Sequence, residues 1–510
     1  MGILVEETKL SKSSKSDAYI KSILASVIRL VPKSESPYIV GGFIRDTILE
    51  RPSSDLDITI KGEPYKLGAL LAKETGGIFV KLGQPENIAR VIIGDKNPYH
   101  VDISTRIGCL HEDLARRDFT INAMGLPVSA ILDTDWRAQI TDPFGGIKDI
   151  IRGTIRGTNS TVFLDDPVRM LRAIRLKANL GFDLHPDTLA EIKRNASLLK
   201  YAPAERIRDE LLLILSKSNT VDHIYLFDNL GILELIFPEL EDGREISQPL
   251  EHHWNVLQHN IETVRKAEEL LNSSLTPRWA MDEITWHMDL IEHFDELISD
   301  GHNRGTLLKF ASLLHDVAKP QTKSVTPNGK TRFLGHHIKG AELTKQILSR
   351  LRFSRRGIET VTSQVRHHLR PGQLSQGNEL PSRRAIYRYF RDVGDVAIDT
   401  IFLSLADFLA ARGPDLGKKE WTNHSRKLGH ILDVGLGTLC NEATKNLVDG
   451  NDLMKFLGIK PGPDLGAILM AIQEAQFTGE VADKDQALGL AKNLFDTGLA
   501  YNGRIAGENA

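Results

Sequence analysis

The hydrophobic pattern changes period partway along the chain, and this limits the folds open to it. Between residues 37 and 105 the apolar residues form short strand-like runs: PYIV (37–40), DLDITI (55–60), IFVKL (78–82), ARVIIG (89–94) and HVDIST (100–105). Helical spacing interrupts them in FIRDTILE (43–50) and in YKLGALLAKETGG (65–77), which ends on a glycine stop. Another helical stretch, SDAYIKSILASVIRLV (16–31), precedes the first strand. Beyond about residue 160 the spacing is helical, as in DDPVRMLRAIRLKANLGF and AERIRDELLLILS, with no strand-rich region. The expected fold class is α+β, a small mixed-sheet domain followed by a mostly α-helical remainder.

Composition narrows the setting. The 510 residues carry a net charge of −3, so any basic surface for a polyanion must be local. Cys109 and Cys440 stand far apart and in no CxxC motif, which fits a reducing compartment and not a disulfide scaffold or a cysteine zinc site. No run of 18 apolar residues exists, so no membrane span is expected. The first residues lack the basic-then-apolar order of a signal peptide, and Glu6 spoils a myristoylation pattern. The expected location is cytoplasmic.

Asp55 and Asp57 are two apart in a strand, so they project from one face. Two such carboxylates repel unless a cation lies between them, and hard oxygen ligands suit Mg²⁺. A lone DxD is more often an ordinary strand entry, but its neighbours point to chemistry. Gly41 and Gly42 join a strand to a helix, a turn that lets backbone N–H groups approach a phosphate, with Arg45 in the first helical turn. Asp102 lies in a further strand. Three acids beside a glycine turn describe a two-metal phosphoryl-transfer site.

A second constellation carries recognition. LARRDFTINAMG (114–125) holds Arg116, Arg117, Asp118 and Asn122. In DDPVRMLRAIRL (165–176), Asp165 or Asp166 is expected to cap a helix with Pro167 in its first turn. Asp166 and Arg169 are three apart and would present an acceptor beside a donor. That pair matches the Watson–Crick edges of cytosine and adenine. It leaves polar groups unpaired against guanine and uracil, at roughly 1–3 kcal/mol per buried group. The bland alternative is an intrahelical salt bridge.

Taken in order, VGGFIRD, DLDI, RRDFTINAM, DDPVRMLRAIRLKANLGF and AERIRDEL resemble the class II tRNA nucleotidyltransferase (CCA-adding) and bacterial poly(A) polymerase family, over about residues 38–215. The resemblance implies a catalytic head, with neck, body and tail gripping tRNA, and transfer from CTP and ATP to the tRNA 3′ end with Mg²⁺. It implies that Asp55 and Asp57 hold the metals, with Asp102 in the place of a third carboxylate. Gly41, Gly42, Arg45 and Asp46 would shape the triphosphate site. Arg116, Asp118 and Asn122 would contact the nucleotide or support its site. Asp166 and Arg169 would read C or A, Arg172 and Arg175 would help with phosphate or base, and Glu205 and Arg206 would support the base-reading helix. Two departures stand out. Asp165 replaces the usual Glu of the base-reading motif, a tolerated shortening. Only TRIGCLHEDLA (105–115) separates the VD strand from RRDFT, where CCA-adding members carry a longer flexible loop. The short loop resembles the CC-adding branch.

Eleven of the seventeen histidines lie between His252 and His368. ASLLHDVAKP (311–320) contains His315–Asp316, and HHWNVLQHN, RFLGHHIKGAEL, VRHHLRP and SLADFLAA accompany it. These stretches resemble an HD-domain tail. By that resemblance His259, His315, Asp316 and Asp407 are metal ligands, and His336 and His368 are nearby site residues. His337 stands where the motif often has Glu. Imidazole with carboxylate suits Ni²⁺, Mn²⁺ or Co²⁺ better than Mg²⁺, and a phosphohydrolase on damaged tRNA ends is the implied activity. The expected divisions are an arm at 1–16, a head at 17–155, a neck at 156–245, an HD domain at 246–435 and a helical tail at 436–510. Rival readings are a poly(A) polymerase, and a metal phosphohydrolase with an RNA-binding head.

Overall fold

The computed structural model describes residues 19–32, 35–83, 87–95, 98–248, 253–272, 280, 282–285, 288–375, 377, 379–413, 416–439 and 446–498. The arm expected at 1–16, and Cys440, lie outside these residues. The chain divides into two compact units. One comprises Met1–Glu210 with Asn229–Leu235, the other Leu211–Asp228 with Ile236–Ala510.

The first unit is built on one six-stranded sheet. Its strands are β1 (Tyr38–Val40), β2 (Asp55–Ile60), β3 (Ile78–Leu82), β4 (Ile88–Ile93), β5 (Tyr99–Thr105) and β6 (Gly125–Pro127), in the order β3-β4-β5-β2-β1-β6. Only β2 and β5 pair in parallel; every other neighbour is antiparallel, so the sheet is mixed as expected. Alternation explains β2. Leu56, Ile58 and Ile60 are buried, while Asp55 and Asp57 lie on the other face. Each of those apolar side chains contributes about 1.5–3 kcal/mol by leaving water. Helices α1 (19–30), α2 (Gly42–Ile48) and α3 (Pro64–Thr75) fall where the periodicity puts them, and α3 stops at Gly76 in a left-handed conformation.

Two local expectations need correction. The segment 105–115 is mostly a short helix, α4 (Leu110–Ala115), and not a loop. The base-reading helix, α5 (Arg169–Leu180), begins after Asp166 and Pro167, which are extended or turning. Asp166 still acts locally, because its carboxylate accepts the Val168 N–H at 3.2 Å. Pro167 pushes the residue before it out of the helical region, so Asp166 is extended and the regular helix starts beyond it. Helix α6 (Ala204–Leu215) follows, its first half in this unit.

The second unit is mostly helical. Its central helices are α7 (Val256–Leu271), α8 (Arg304–Leu314), α9 (His336–Arg350), α10 (Arg355–His367), α11 (Arg383–Val393), α12 (Ala397–Arg412) and α13 (Lys418–Leu439). α7 packs on α12 and α8, and α9 on α10. Two short hairpins, Leu297–Ser299 with His302–Asn303 and Lys323–Val325 with Thr331–Phe333, interrupt the helices. Residues 457–463, LGIKPGP, join helices Gly450–Leu457 and Pro463–Thr478, which share a core with Lys484–Asp496 through Leu453, Leu465, Ile468 and Ile472.

Candidate functional site

The sheet assembles the acidic residues by register alone. Asp57 on β2 sits opposite Asp102 on β5, and Asp102 sits opposite Arg90 on β4. The three therefore form a row on one face. Arg90 donates from Nε and Nη2 to both oxygens of Asp102, at 2.8 and 2.7 Å. The expected third carboxylate is thus beside Asp57 but already carries a counter-ion. Asp55 is exposed, and its Oδ1 lies 3.1 Å from His100 Nδ1. Burial pushes the Asp57 carboxyl above its ordinary pKa; Arg117 and Arg172 pull against this while Asp102 and Asp55 add to it. A carboxylate burdened in this way is relieved by a cation, and its acidic neighbours fit a divalent metal.

Gly41 closes the site from behind. It adopts φ 78° and ψ −151°, a region essentially reserved for glycine. A Cβ there would lie 2.3 Å from Asp57 Oδ2. Sequence reasoning assigns this glycine to phosphate approach; in the fold it also makes room for Asp57.

Five of the expected nucleotide residues join in one chain of hydrogen bonds and ion pairs. Arg45 donates from Nε and Nη2 to Asp46 at 2.9 and 2.8 Å, and from Nη1 to Asn122 Oδ1 at 2.6 Å. Asn122 donates to Asp118 at 3.2 Å, and Arg172 Nε lies 2.6 Å from the other Asp118 oxygen. Burial works to raise the Asp118 carboxyl, but Arg172, Asn122 and the Phe119 N–H outweigh it and hold it low. Arg116 is turned onto buried Asp113 at 3.0 Å. Arg117 Nη1 lies 3.3 Å from where a Gly41 Cβ would be. Asp113, Arg90 and His100 were not among the predicted site residues, and Arg117 was named in its motif without a role. The i,i+3 and i,i+4 spacing of Asp113 to the two arginines, and the alternation that puts His100 on the face of Asp102, are signals that could have found some of them.

The base-reading pair is held apart. Asp166 Oδ2 is 3.9 Å from Arg169 Nε, while Arg206 on α6 takes Asp166 in a bidentate grip at 3.0 and 2.6 Å. Arg169 donates instead to the carbonyls of Val162 and Arg116. Arg175 is turned to Glu210 at 2.6 Å, which ties α5 to α6.

In the second unit the histidine stretches converge. The ligand atoms of His259, His315 and Asp407 lie within 4.8 Å of one another, and so do those of Asp316, His336 and His368. Asp316 joins the groups. One of its oxygens is 3.4 Å from His259 Nε2 and 3.2 Å from His315 Nε2, the other 3.2 Å from His336 Nε2. Buried Asp316 makes no hydrogen bond of normal geometry through either oxygen. His315, His336 and His368 each turn Nδ1 to a backbone carbonyl three residues earlier, at 2.9, 2.7 and 2.7 Å, leaving Nε2 for the centre. That is the orientation a metal-binding imidazole takes. Burial lowers the His315 pKa, but Asp316 and Asp407 overcome this and push it up to about 10. Burial, and then the neighbouring His315, push His368 down to about 3, so the carboxylates favour positive charge on the His315 side only. Lys319, absent from the sequence-based set, supplies some at 2.5 Å from Asp316.

Comparison with known proteins bears on both units. The poly A polymerase head domain model matches residues 37–108 and 100–156, and the HD domain model matches 256–412. A tRNA nucleotidyltransferase domain 2 model matches 437–491. The chain is 31% identical to the A-adding tRNA nucleotidyltransferase of Deinococcus radiodurans, over 90% of this chain and 95% of that one. It is 29% identical to the CC-adding tRNA nucleotidyltransferase of Thermus thermophilus, over 89% and 92%. Its fold is similar to a CCA-adding enzyme in apo form I (TM-score 0.60, 21% identity, 92% of each chain). It is also similar to the Thermotoga maritima CCA-adding enzyme complexed with tRNA (TM-score 0.56, 21% identity, 90% and 91%).

Proposed function

The chain belongs to the tRNA nucleotidyltransferase family with an HD domain, and on that premise we propose which of its residues do the work and which nucleotides it adds. It is an enzyme of tRNA 3′-end nucleotide addition, and its head and HD region use divalent metal. In the reaction the terminal hydroxyl oxygen bonds to the α-phosphorus of CTP or ATP, the bond to the β-phosphate side breaks, and pyrophosphate leaves with the hydroxyl proton released. Asp55 and Asp57 hold Mg²⁺, which when bound offsets the charge of the attacking and leaving oxygens. The Gly41–Gly42 turn admits the triphosphate. The chain Asp46–Arg45–Asn122–Asp118–Arg172 keeps the donors beside it in fixed rotamers. Asp166 and Arg169 read the base edge, with Arg206 holding Asp166.

The head adds C only. One observation carries this reading: the stretch before RRDFT has almost no free length. Thr105 ends β5 and Leu110 begins α4. Between them, Arg106 donates its backbone N–H to Ile60 O at 2.7 Å and its side chain to Ser36 O at 3.2 Å, and the Ile107 N–H donates to Asp113 at 3.2 Å. A segment so anchored has no slack to reshape the pocket from C to A. The likeness to an A-adding relative favours a second reading, addition of A alone. Incubation with tRNA lacking its 3′ end and CTP, ATP or both, followed by sequencing of the products, separates the two. Addition of A76 by this protein alone sinks the CC reading, and long tails would point to a poly(A) polymerase.

The HD region is a phosphohydrolase for terminal or cyclic phosphate on tRNA ends. His259, His315 and Asp407 form one ligand group and Asp316, His336 and His368 the other, suited to Ni²⁺, Mn²⁺ or Co²⁺. Turnover of 2′,3′-cAMP or p-nitrophenyl phosphate with these ions should vanish in His315→Ala. The five divisions, from arm to tail, are proposed with the boundaries given above.

A further inference from the structure

We infer that Arg90 is a positioning residue of the head: it withholds Asp102 from the metal site while no nucleotide is bound. The inference rests on the reading of Asp55 and Asp57 as metal ligands. Arg90, Asp102 and Asp57 occupy one row across three adjacent strands. A row of three acids alone would bind cations through all of them. Here Arg90 occupies both Asp102 oxygens with charge-assisted bonds, the strong and directional kind that a planar guanidinium makes. The Arg90 charge is itself favoured first by Asp102 and further by Asp55 and Asp57, so it serves the whole acidic row.

The pairing has a reason in the reaction. An unguarded trio of carboxylates holds a divalent ion tightly without substrate. A guarded trio leaves the pair Asp55–Asp57 too weak to be filled until a triphosphate supplies further oxygens. The metal then arrives with the nucleotide, and Arg90 sets that order. Arg90 is partly exposed, with 37% of its side chain open to solvent, so it has a path to turn away from Asp102 into water.

The test is Mn²⁺ binding to the nucleotide-free full chain, followed by the EPR signal of free Mn²⁺. The head's share is the part lost in the D55N/D57N variant. Arg90→Gln is expected to tighten that share roughly tenfold, the effect of freeing the Asp102 carboxylate to face a doubly charged ion in a partly exposed cleft. Arg90→Lys, a monodentate donor, should fall between. D102N should bind no tighter than the parent, and R90Q should tighten binding much less in the D102N background than in the parent. Circular dichroism and the unfolding midpoint show whether each variant is folded. If R90Q leaves Mn²⁺ binding unchanged or weaker, or tightens it equally in the D102N background, the inference is overturned while the metal reading stands. If the Mn²⁺ gained by R90Q is kept in R90Q/D55N/D57N, the metal reading falls and the inference with it.

Discussion

Replacing Gly41 by alanine tests the head site at its tightest point. Two costs follow from the structure. The first is local: φ 78° with ψ −151° is open to glycine but costs other residues about 1–3 kcal/mol. The second is steric. The new Cβ would lie 2.3 Å from Asp57 Oδ2, so the carboxylate must retreat by about 1 Å to reach ordinary contact. Displacing a reacting group by that distance lowers turnover by roughly 100-fold. Gly76 provides the control. It also has positive φ, 68°, but its Cβ would meet nothing within 4 Å. Gly76→Ala should cost about 1–2 kcal/mol of strain and leave turnover nearly intact. The assays are urea unfolding for stability and CMP incorporation into tRNA lacking its 3′ end for activity. If G41A incorporates within twofold of the parent while remaining folded, the assignment of Asp57 to the reacting centre is wrong.

Three further outcomes are expected. Arg304 is buried and bonded to Glu296 at 2.7 Å, Asp395 at 2.8 Å and buried Asp399 at 3.3 Å. Arg304→Met should therefore cost about 3–5 kcal/mol in urea unfolding, and adding D399N should recover part of it. His424 stacks on Phe408 with centroids 4.1 Å apart, and burial pushes its pKa down to about 4 against the Ser404 carbonyl and Asp407. Its folded pKa lies below the ordinary value. Its contribution is therefore flat above pH 6.5 and falls as the pH drops toward 4, by about 2 kcal/mol between pH 6.5 and 5. His424→Asn should remove that share of the acid sensitivity; an unchanged slope counts against it. Arg206→Ala should free Asp166 and lower the preference for CTP and ATP over GTP and UTP by up to about tenfold, measured by single-turnover incorporation of each triphosphate. An unchanged preference would deny Arg206 any part in selectivity.

The sequence by itself determined a good deal. Period-two runs before residue 105 and helical spacing after 160 dictate a small sheet followed by helices, because those periods decide which faces are buried. Motif order marked Asp55, Asp57, RRDFTINAM and the His-Asp stretches, since their residue types limit the chemistry available. Local effects that depend on one turn of chain were less legible. Pro167 delays α5 past Asp166, and the stretch before RRDFT winds into α4.

What only the tertiary structure decided is who pairs with whom. Arg90 meets Asp102 because β4 and β5 share a register. Arg206 meets Asp166 across 40 residues of chain. Asp316 stands between two histidine groups because α7, α8, α9, α10 and α12 bring their residues together there. Charge pairs of this kind leave no periodic trace in a sequence. A salt bridge depends on where two side-chain ends meet in space, whereas periodicity records only which side of an element is buried.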